Sequence, residues 1–303
     1  MPEPRPNNFG SNWPESAIAD AHVHFFSRRF FESLASQTGK TAEAIAAELN
    51  WELPPADPAQ LATRWAAELD AHGVKRAALI ASIPGDAGSV RTAAAAWPGH
   101  FFAYAMVNPL AETPEAVQGL DALCFFPAMH GYFMHDRRVE PFLEQAAAAR
   151  SLVFVHCGVL TVGVRKKLGL ASPFDMRYSN PIDLHGVALR HPRVRFVVPH
   201  FGAGYFREAL MLADLCANVY LDTSSSNHWM RYLGLALRRV FRRALDILGP
   251  ARLLFGTDSS FFPRGWNRQV FEAQTRVLAE LGVGPADRRL ILGENLERLR
   301  ADP

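Results

Sequence analysis

The fold class this sequence predicts is α/β: a (β/α)₈ (TIM) barrel with a helical insertion after strand one. Three observations carry the expectation. Eight short apolar runs of strand character are each followed by a stretch at helical spacing, and repeated β–α alternation demands parallel strands joined by crossovers. The 303 residues are near the usual length of such a barrel. The competing fold, an open doubly wound sheet, carries a glycine-rich phosphate turn after its first strand. Here that position holds Phe25-Phe26-Ser27.

Taken in order, residues 1–16 are polar and dotted with proline, and read as an N-terminal arm. Residues 17–303 read as one barrel domain. Ile18 to His24 is strand one. Residues 28–50 form the inserted, mostly helical excursion, with Phe30, Phe31, Leu34, Ile45 and Leu49 as its apolar positions, and Leu53-Pro54-Pro55-Ala56 breaks it. Asp57-Pro58 supplies a cap residue and a first-turn proline for the next helix. Leu61, Trp65, Leu69 and His72 share one face of that helix, and Gly73 ends it. Arg76–Ala81 is strand two, 88–97 an alanine-rich helix, and Phe101–Val107 strand three. A short helix at 114–119 leads to strand four, Ala122–Pro127. Val139, Phe142, Leu143 and Ala146 then recur at helical spacing before strand five, Leu152–His156.

A long loop is expected from Cys157 to Asn180, then a helix from Asn180-Pro181 to His191-Pro192. Val194–Val198 is strand six, with Pro199-His200 at its exit. Ala209, Leu210, Ala213 and Leu215 mark the next helix, and Asn218–Asp222 is strand seven. One long basic amphipathic helix is expected over Met230–Leu248. Leu253–Asp258 is strand eight, and helices at 267–281 and 286–300 close the chain.

Composition narrows the function. A net charge of +2 does not imply a polyanion-binding surface, so no nucleic-acid partner is expected. Cys124, Cys157 and Cys216 are few, odd in number and far apart, which fits a reducing cytoplasm better than a disulfide framework. The first residues lack the apolar segment of a secretory signal, and no apolar run reaches membrane-spanning length. The runs Arg165-Lys166-Lys167, Arg238-Arg239 and Arg242-Arg243 read as solvated faces. The last two could instead meet a second subunit, so a homodimer stays open.

Four strand ends carry groups with metal-ligand chemistry. Residues two apart on a strand share a face, so His22 and His24 aim together. Neutral imidazoles converging on one spot suit a transition metal such as zinc. His156 ends strand five, His200 follows strand six and Asp258 ends strand eight. Each alone reads as well as an ordinary buried or capping residue. Together they share the carboxyl rim, where barrel active sites are built.

With those residues in place, the pattern resembles the amidohydrolase superfamily of metal-dependent barrels. It is most similar to the amidohydrolase-related branch that includes aminocarboxymuconate semialdehyde decarboxylase-like enzymes. The strings that carry the likeness are His22-Val23-His24, Val155-His156-Cys157-Gly158, Phe196-Val197-Val198-Pro199-His200-Phe201-Gly202-Ala203-Gly204, Val219-Tyr220-Leu221-Asp222-Thr223-Ser224 and Leu254-Phe255-Gly256-Thr257-Asp258. The tail Ile291-Leu292-Gly293-Glu294-Asn295-Leu296-Glu297-Arg298-Leu299 belongs to the same likeness.

The resemblance implies His22, His24, His156 and Asp258 as ligands of one divalent ion, zinc before manganese or another ion. It implies His200 as an acid/base group, or as a weak fifth ligand, and Asp258 as a proton acceptor during turnover. Binuclear relatives use a lysine after strand four. Here Leu123-Cys124-Phe125-Phe126-Pro127 offers none, so a single ion is implied.

Such an ion acidifies a bound water, and a histidine titrates near working pH. The implied activity is hydrolysis of a small carboxylated, aromatic or lactone substrate through a metal-activated water. Non-oxidative decarboxylation by the same site is the alternative, and a non-catalytic metal-binding or sensing barrel is the alternative of another class. Phe25, His130, Tyr132 and Trp229 are candidates for an aromatic pocket wall. Arg177 and Arg264 are candidates for a carboxylate clamp.

Overall fold

The computed structural model describes residues 18–172, 174–225 and 227–301, so the expected N-terminal arm lies outside the described residues. Eight parallel strands stand in sequence order: β1 Ile18–Phe25, β2 Val74–Ala81, β3 Phe101–Val107, β4 Ala122–Phe125, β5 Leu152–Val155, β6 Arg195–Val198, β7 Val219–Asp222 and β8 Leu253–Leu254. The segment after β8 closes the sheet onto β1. Ala21 N–H donates to Phe255 O (2.8 Å), Asp258 N–H to His22 O (2.9 Å) and His24 N–H to Ser259 O (2.7 Å). The chain is a (β/α)₈ barrel.

Both faces of most strands are apolar, as two-sided burial requires. On β3, Phe101, Ala103, Ala105 and Val107 join the larger core beneath the outer helices, whereas Phe102, Tyr104 and Met106 join Ala78, Ile80, Cys124, Phe154, Val197 and Leu254 in the smaller one inside the barrel. β1 departs from simple alternation. Asp20 pairs with Ala77 and Val23 with Leu79, so β1 carries one extra residue there. Such a bulge shifts the side-chain phase by one. Ala19 and Ala21 face the inner core, yet Val23 and Phe25 face the outer one. The bulge turns His22 and His24 toward the barrel axis.

The insertion folds as two helices, α1 Arg28–Thr38 and α2 Ala42–Leu49. Ser27 and Thr41 accept hydrogen bonds from Phe30 N–H and Ala44 N–H as their N-caps. Gly39 and Asn50 end them in the left-handed region. Their apolar faces form a separate core with Val164 and Leu168. Around the barrel follow α3 Pro58–Ala71, α4 Ala87–Ala96, α5 Pro127–His130, α6 Glu140–Ala149, α7 Gly163–Lys167, α8 His185–Arg190, α9 Phe206–Leu215, α10 Met230–Leu233, α11 Leu237–Leu248, α12 Arg268–Glu280, α13 Pro285–Arg289 and α14 Asn295–Ala301.

Three expectations need correction. The single helix over Met230–Leu248 is two, because Gly234 takes φ 59° and stops α10. The loop Cys157–Asn180 contains α7, held by the insertion core. The closing helix is interrupted at Leu290–Glu294 by a wide π turn; there the Ile291 carbonyl accepts Phe255 N–H (2.9 Å) and ties the tail to the β8 segment. No helix among the described residues is long and apolar enough to cross a membrane.

Candidate metal centre

His22, His24 and Asp258 meet at the carboxyl end of the barrel. His22 Nε2 lies 3.4 Å from His24 Nε2 and 3.7 Å from Asp258 Oδ1, and His24 Nε2 lies 3.2 Å from the same oxygen. Among the described residues, this is the group of His, Cys, Asp or Glu donors whose atoms all lie within 4.8 Å of one another.

Hydrogen bonds behind the group fix which ring nitrogen is bare. His22 Nδ1 sits 2.7 Å from the Asp222 carboxylate, which can only accept, so His22 carries its proton on Nδ1. His24 Nδ1 sits 2.7 Å from Ser82 Oγ. That hydroxyl gives its own proton to Ile80 O (3.0 Å), so it accepts from His24. Both imidazoles therefore turn an unprotonated Nε2 toward the Asp258 oxygen. Two lone pairs and a carboxylate oxygen at these separations repel one another unless a cation lies between them. Donors bound at about 2.0–2.2 Å around a tetrahedral ion stand about 3.3–3.6 Å apart, and the three separations straddle that range. The residues fit a divalent ion, and the hydrogen-bonded Asp222 and Ser82 are the outer partners such ligands require.

His200 and His156 extend the cluster. The His200 ring centre is 4.9 Å from that of His22 and 5.3 Å from that of His156. His156 stacks on Phe126 at 5.3 Å, and its Nδ1 has no hydrogen-bond partner among the described residues. The four expected ligands thus appear as three in one tight group and His156 beside it.

Electrostatics follow burial. Burial depresses the His200 and His156 pKa values, helped by the neighbouring His22 and, for His156, by His200. Burial also lowers His24, against the opposing pull of Asp258. For His22 burial pulls downward too, but the Asp222 carboxylate outweighs it and the net shift is upward. Burial pushes Asp258 upward, yet the adjacent His24 ring and the imidazoles of His22 and His200 hold it below the usual carboxylate range.

The backbone at the site is strained. His200, Phe201, Ala203 and Asp258 have φ between 43° and 58°, a region costly for residues with a Cβ. The other two non-glycine cases, Asn50 and Arg150, are ordinary helix C-caps. Among the described residues, the left-handed non-glycine positions outside helix caps all fall at two strand exits on the carboxyl rim. Gly158 lets the β5 exit approach them, because a Cβ there would lie 2.2 Å from Gly202 O and 2.3 Å from Ala203 O.

A buried carboxylate braces the β1 and β8 exits. Asp20 accepts from His22 N–H (2.9 Å), Thr257 N–H (3.1 Å), Thr257 Oγ1 (2.5 Å) and Trp266 Nε1 (2.8 Å). Burial raises its pKa to about 6 despite these donors. The sequence reading missed Asp20 and Ser82. The available signal for Asp20 was a charge in the middle of an otherwise buried strand, which needs a partner.

The other predicted residues divide. Arg264 reaches Asp258 O (3.2 Å) and Ser260 Oγ (2.8 Å), and lies over the Phe261 ring. His130 is half-buried at the β4 exit, with its pKa lowered to about 4 by burial. Phe25 is corrected: alternation turns it away from His24 into the outer core. Phe26 takes its place, 5.7 Å from the His24 ring, stacked on Phe30 (4.0 Å) and near Trp51 (5.7 Å), which stacks on Phe261 (4.1 Å). Tyr132 and Trp229 are also corrected, since both are sealed in the outer core against Phe125 and Phe206. Arg177 is 80% exposed and ion-pairs with Asp175, two residues away in its own loop.

A parallel eight-stranded barrel with imidazole and carboxylate donors gathered on its carboxyl rim has the architecture and the donor set of a barrel able to hold a metal ion. The chain belongs to the amidohydrolase family, whose model matches residues 19–299. The protein fluG of Emericella nidulans is 35% identical over 105 residues, a stretch that covers 34% of this chain and 12% of that protein. The chain thus spans a small part of that relative's length. Among solved structures, a 5-carboxyvanillate decarboxylase from Novosphingobium aromaticivorans, complexed with manganese, has TM-score 0.62 at 13% identity, covering 94% of this chain and 96% of that one. A probable 2-pyrone-4,6-dicarboxylic acid hydrolase from Acinetobacter baumannii has TM-score 0.60 at 13% identity, covering 93% and 98%.

Proposed function

We propose that this chain is a metal-dependent hydrolase of small aromatic, lactone or carboxylated substrates. The observation that carries the reading is the convergence of two unprotonated Nε2 atoms and the Asp258 carboxylate within 3.2–3.7 Å. His22, His24 and Asp258 hold one divalent ion, zinc or manganese, with His156 as the fourth donor. When bound, the ion supplies a Lewis acid for a substrate carbonyl and lowers the pKa of water.

The chain's own residues do the rest. Asp222 and Ser82 orient the two imidazoles through their Nδ1 protons. His200, neutral because burial lowers its pKa, takes a proton at Nε2 from the attacking water and returns it to the leaving group. Phe26, Trp51 and Phe261 supply flat faces for a ring. Arg264, beside Asp258, supplies a cation for a substrate carboxylate. The free, buried cysteines support a reducing cytoplasmic setting.

Decarboxylation is the second reading, supported by the likeness in fold to a 5-carboxyvanillate decarboxylase. A panel of aromatic acids and lactones, read for acid and carbon dioxide together, separates the two. Acid release that vanishes in His200→Ala supports hydrolysis, and carbon dioxide release supports the second reading. Stoichiometric metal without turnover leaves a binding barrel and overturns both.

A further inference from the structure

We propose that the face built from α8, α9 and the turn at Pro181–Leu184 is where two copies of this chain meet about a two-fold axis.

Among the described residues ten large hydrophobic side chains are exposed, and six stand on this side of the barrel: Phe133, Met176, Ile182, Leu189, Met211 and Leu215. Scattered singly, such residues are ordinary. Gathered together, they mark a contact surface. A groove of about 350 Å³ gathers them here, with Ile182 and His185 on one wall and Met211, Leu212, Asp214 and Leu215 on the other. Leu189 stands one helical turn beyond His185 on α8. The strip continues past Ile182. There Met134 N–H donates to Asp183 (2.7 Å), and the Phe133 ring lies 4.7 Å from that of Tyr178, two residues after Met176.

This face carries both halves of a contact. Leu215 is 66% exposed and ends α9 at the lip of the groove, a knob beside a hole. In a two-fold contact one patch serves both copies, so each knob enters the partner's hole. The polar groups follow the same rule. His185 stands on one wall and Asp214 on the other, and neither makes a side-chain hydrogen bond or ion pair within the described residues. A two-fold axis through the groove sets each Asp214 against the partner's His185, acceptor against donor, twice over. A foreign protein needs only a knob or a hole to grip; a patch holding both, with matching polar groups, is complementary to itself.

The rival apolar cluster, Tyr232, Leu233 and Ile247, lies on α10 and α11. Exposed Arg238, Arg239, Arg242 and Arg243 share α11 with it. A two-fold contact there turns these arginines toward their own copies, and like charges repel. Size matters as well. A stable contact covers about 800 Å² of each copy, so it takes in the whole strip from Leu189 to Phe133 rather than the groove alone.

The test is sedimentation equilibrium of the full, zinc-loaded chain over a micromolar dilution series. Wild type is expected at twice the chain mass. Leu215→Glu is expected to raise the dimer dissociation constant roughly thirtyfold or more, with circular dichroism and zinc content unchanged. Asp214→Arg sets donors against donors, and His185→Glu sets carboxylates against carboxylates, so each is expected to weaken self-association. Mixed in equal amounts, these two variants are expected to form a heterodimer, because the introduced arginine then meets the introduced glutamate. Wild type as a monomer, or as an open series of larger species, overturns the proposal. A dimer that all three variants leave intact overturns it, since the contact then lies elsewhere. A mixture of the two polar variants that stays monomeric overturns it too. If Leu215→Glu loses its circular dichroism, the mixing experiment decides alone.

Discussion

Gly158→Ala tests whether the β5 and β6 exits must touch for the site to form. Gly158 has φ 80°, and its missing Cβ would lie 2.2 Å from Gly202 O, 2.3 Å from Ala203 O and 2.7 Å from Ala203 C. All three atoms are backbone, so no side chain can swing aside. Ordinary contact begins near 3.4 Å, so the loop carrying His200 must retreat by about 1.2 Å. The left-handed φ alone costs about 1–2 kcal/mol. The overlap adds about 1–3 kcal/mol, for a total of roughly 2–5 kcal/mol. Gly39→Ala is the matched control, with φ 68° and nothing within 4 Å. It should show the conformational cost alone. Urea denaturation of both variants gives the difference, and melting should fall by about 1.5 °C per kcal/mol in a chain of this length. Displacing His200 by about 1 Å should lower kcat/KM on the order of a hundredfold. Equal stability of the two variants, or Gly158→Ala with wild-type turnover, would refute the reasoning.

Asp222→Asn removes the carboxylate behind His22 while keeping its shape; metal affinity, titrated against a chelator, should drop roughly 10–100-fold. His130→Phe should flatten the acid side of the stability profile. The His130 pKa falls from 6.5 to about 4 on folding, so its neutral form is matched by the unfolded chain above pH 6.5 and stability is lost as pH falls toward 4. The size of the shift sets a ceiling of about 3 kcal/mol on that loss, reduced by the water that reaches a half-buried ring. Urea midpoints from pH 7 to pH 4, compared with wild type, check the sign. Phe26→Ala should raise KM for ring-containing substrates roughly tenfold, about 1.4 kcal/mol of lost ring contact, with metal content unchanged. A KM that stays put would remove the aromatic wall from the site.

The barrel and its rim could be read from sequence because each depends on local rules. Strands ending in His156 or followed by His200 announce themselves by apolar runs and by position in the β–α order. The pocket wall could not be read in the same way. Phe25 and Phe26 are adjacent and chemically alike, and alternation from His24 alone decides between them. Tyr132 and Trp229 have the composition of a binding wall, but packing against Phe125 and Phe206 makes them core. Trp51 meets Phe261 only once the insertion has folded back across the chain, a contact no window of sequence contains. The break at Gly234 was visible as a glycine, yet the amphipathic pattern on either side masked it.

The bulge on β1 explains why the imidazole pair and the Asp20 carboxylate can serve different faces of one strand. Without the extra residue between Asp20 and Val23, the phase set by Ala19 and Ala21 would carry through. Val23 and Phe25 would then point at the barrel axis, and His22 and His24 at the outer helices. With it, Asp20 stays on the outer side, where Trp266 Nε1 and Thr257 reach it, while both histidines point inward. Asp20 also accepts the N–H of His22 itself, so it holds the backbone at the bulge. The β8 segment answers in kind, since Thr257 binds Asp20 and the next residue, Asp258, turns left-handed to face the histidines. The same carboxylate thus sets the positions of donors on two strands that meet where the barrel closes. A barrel needs this seam in any case, and here the irregularities that close it are the ones that aim the candidate ligands.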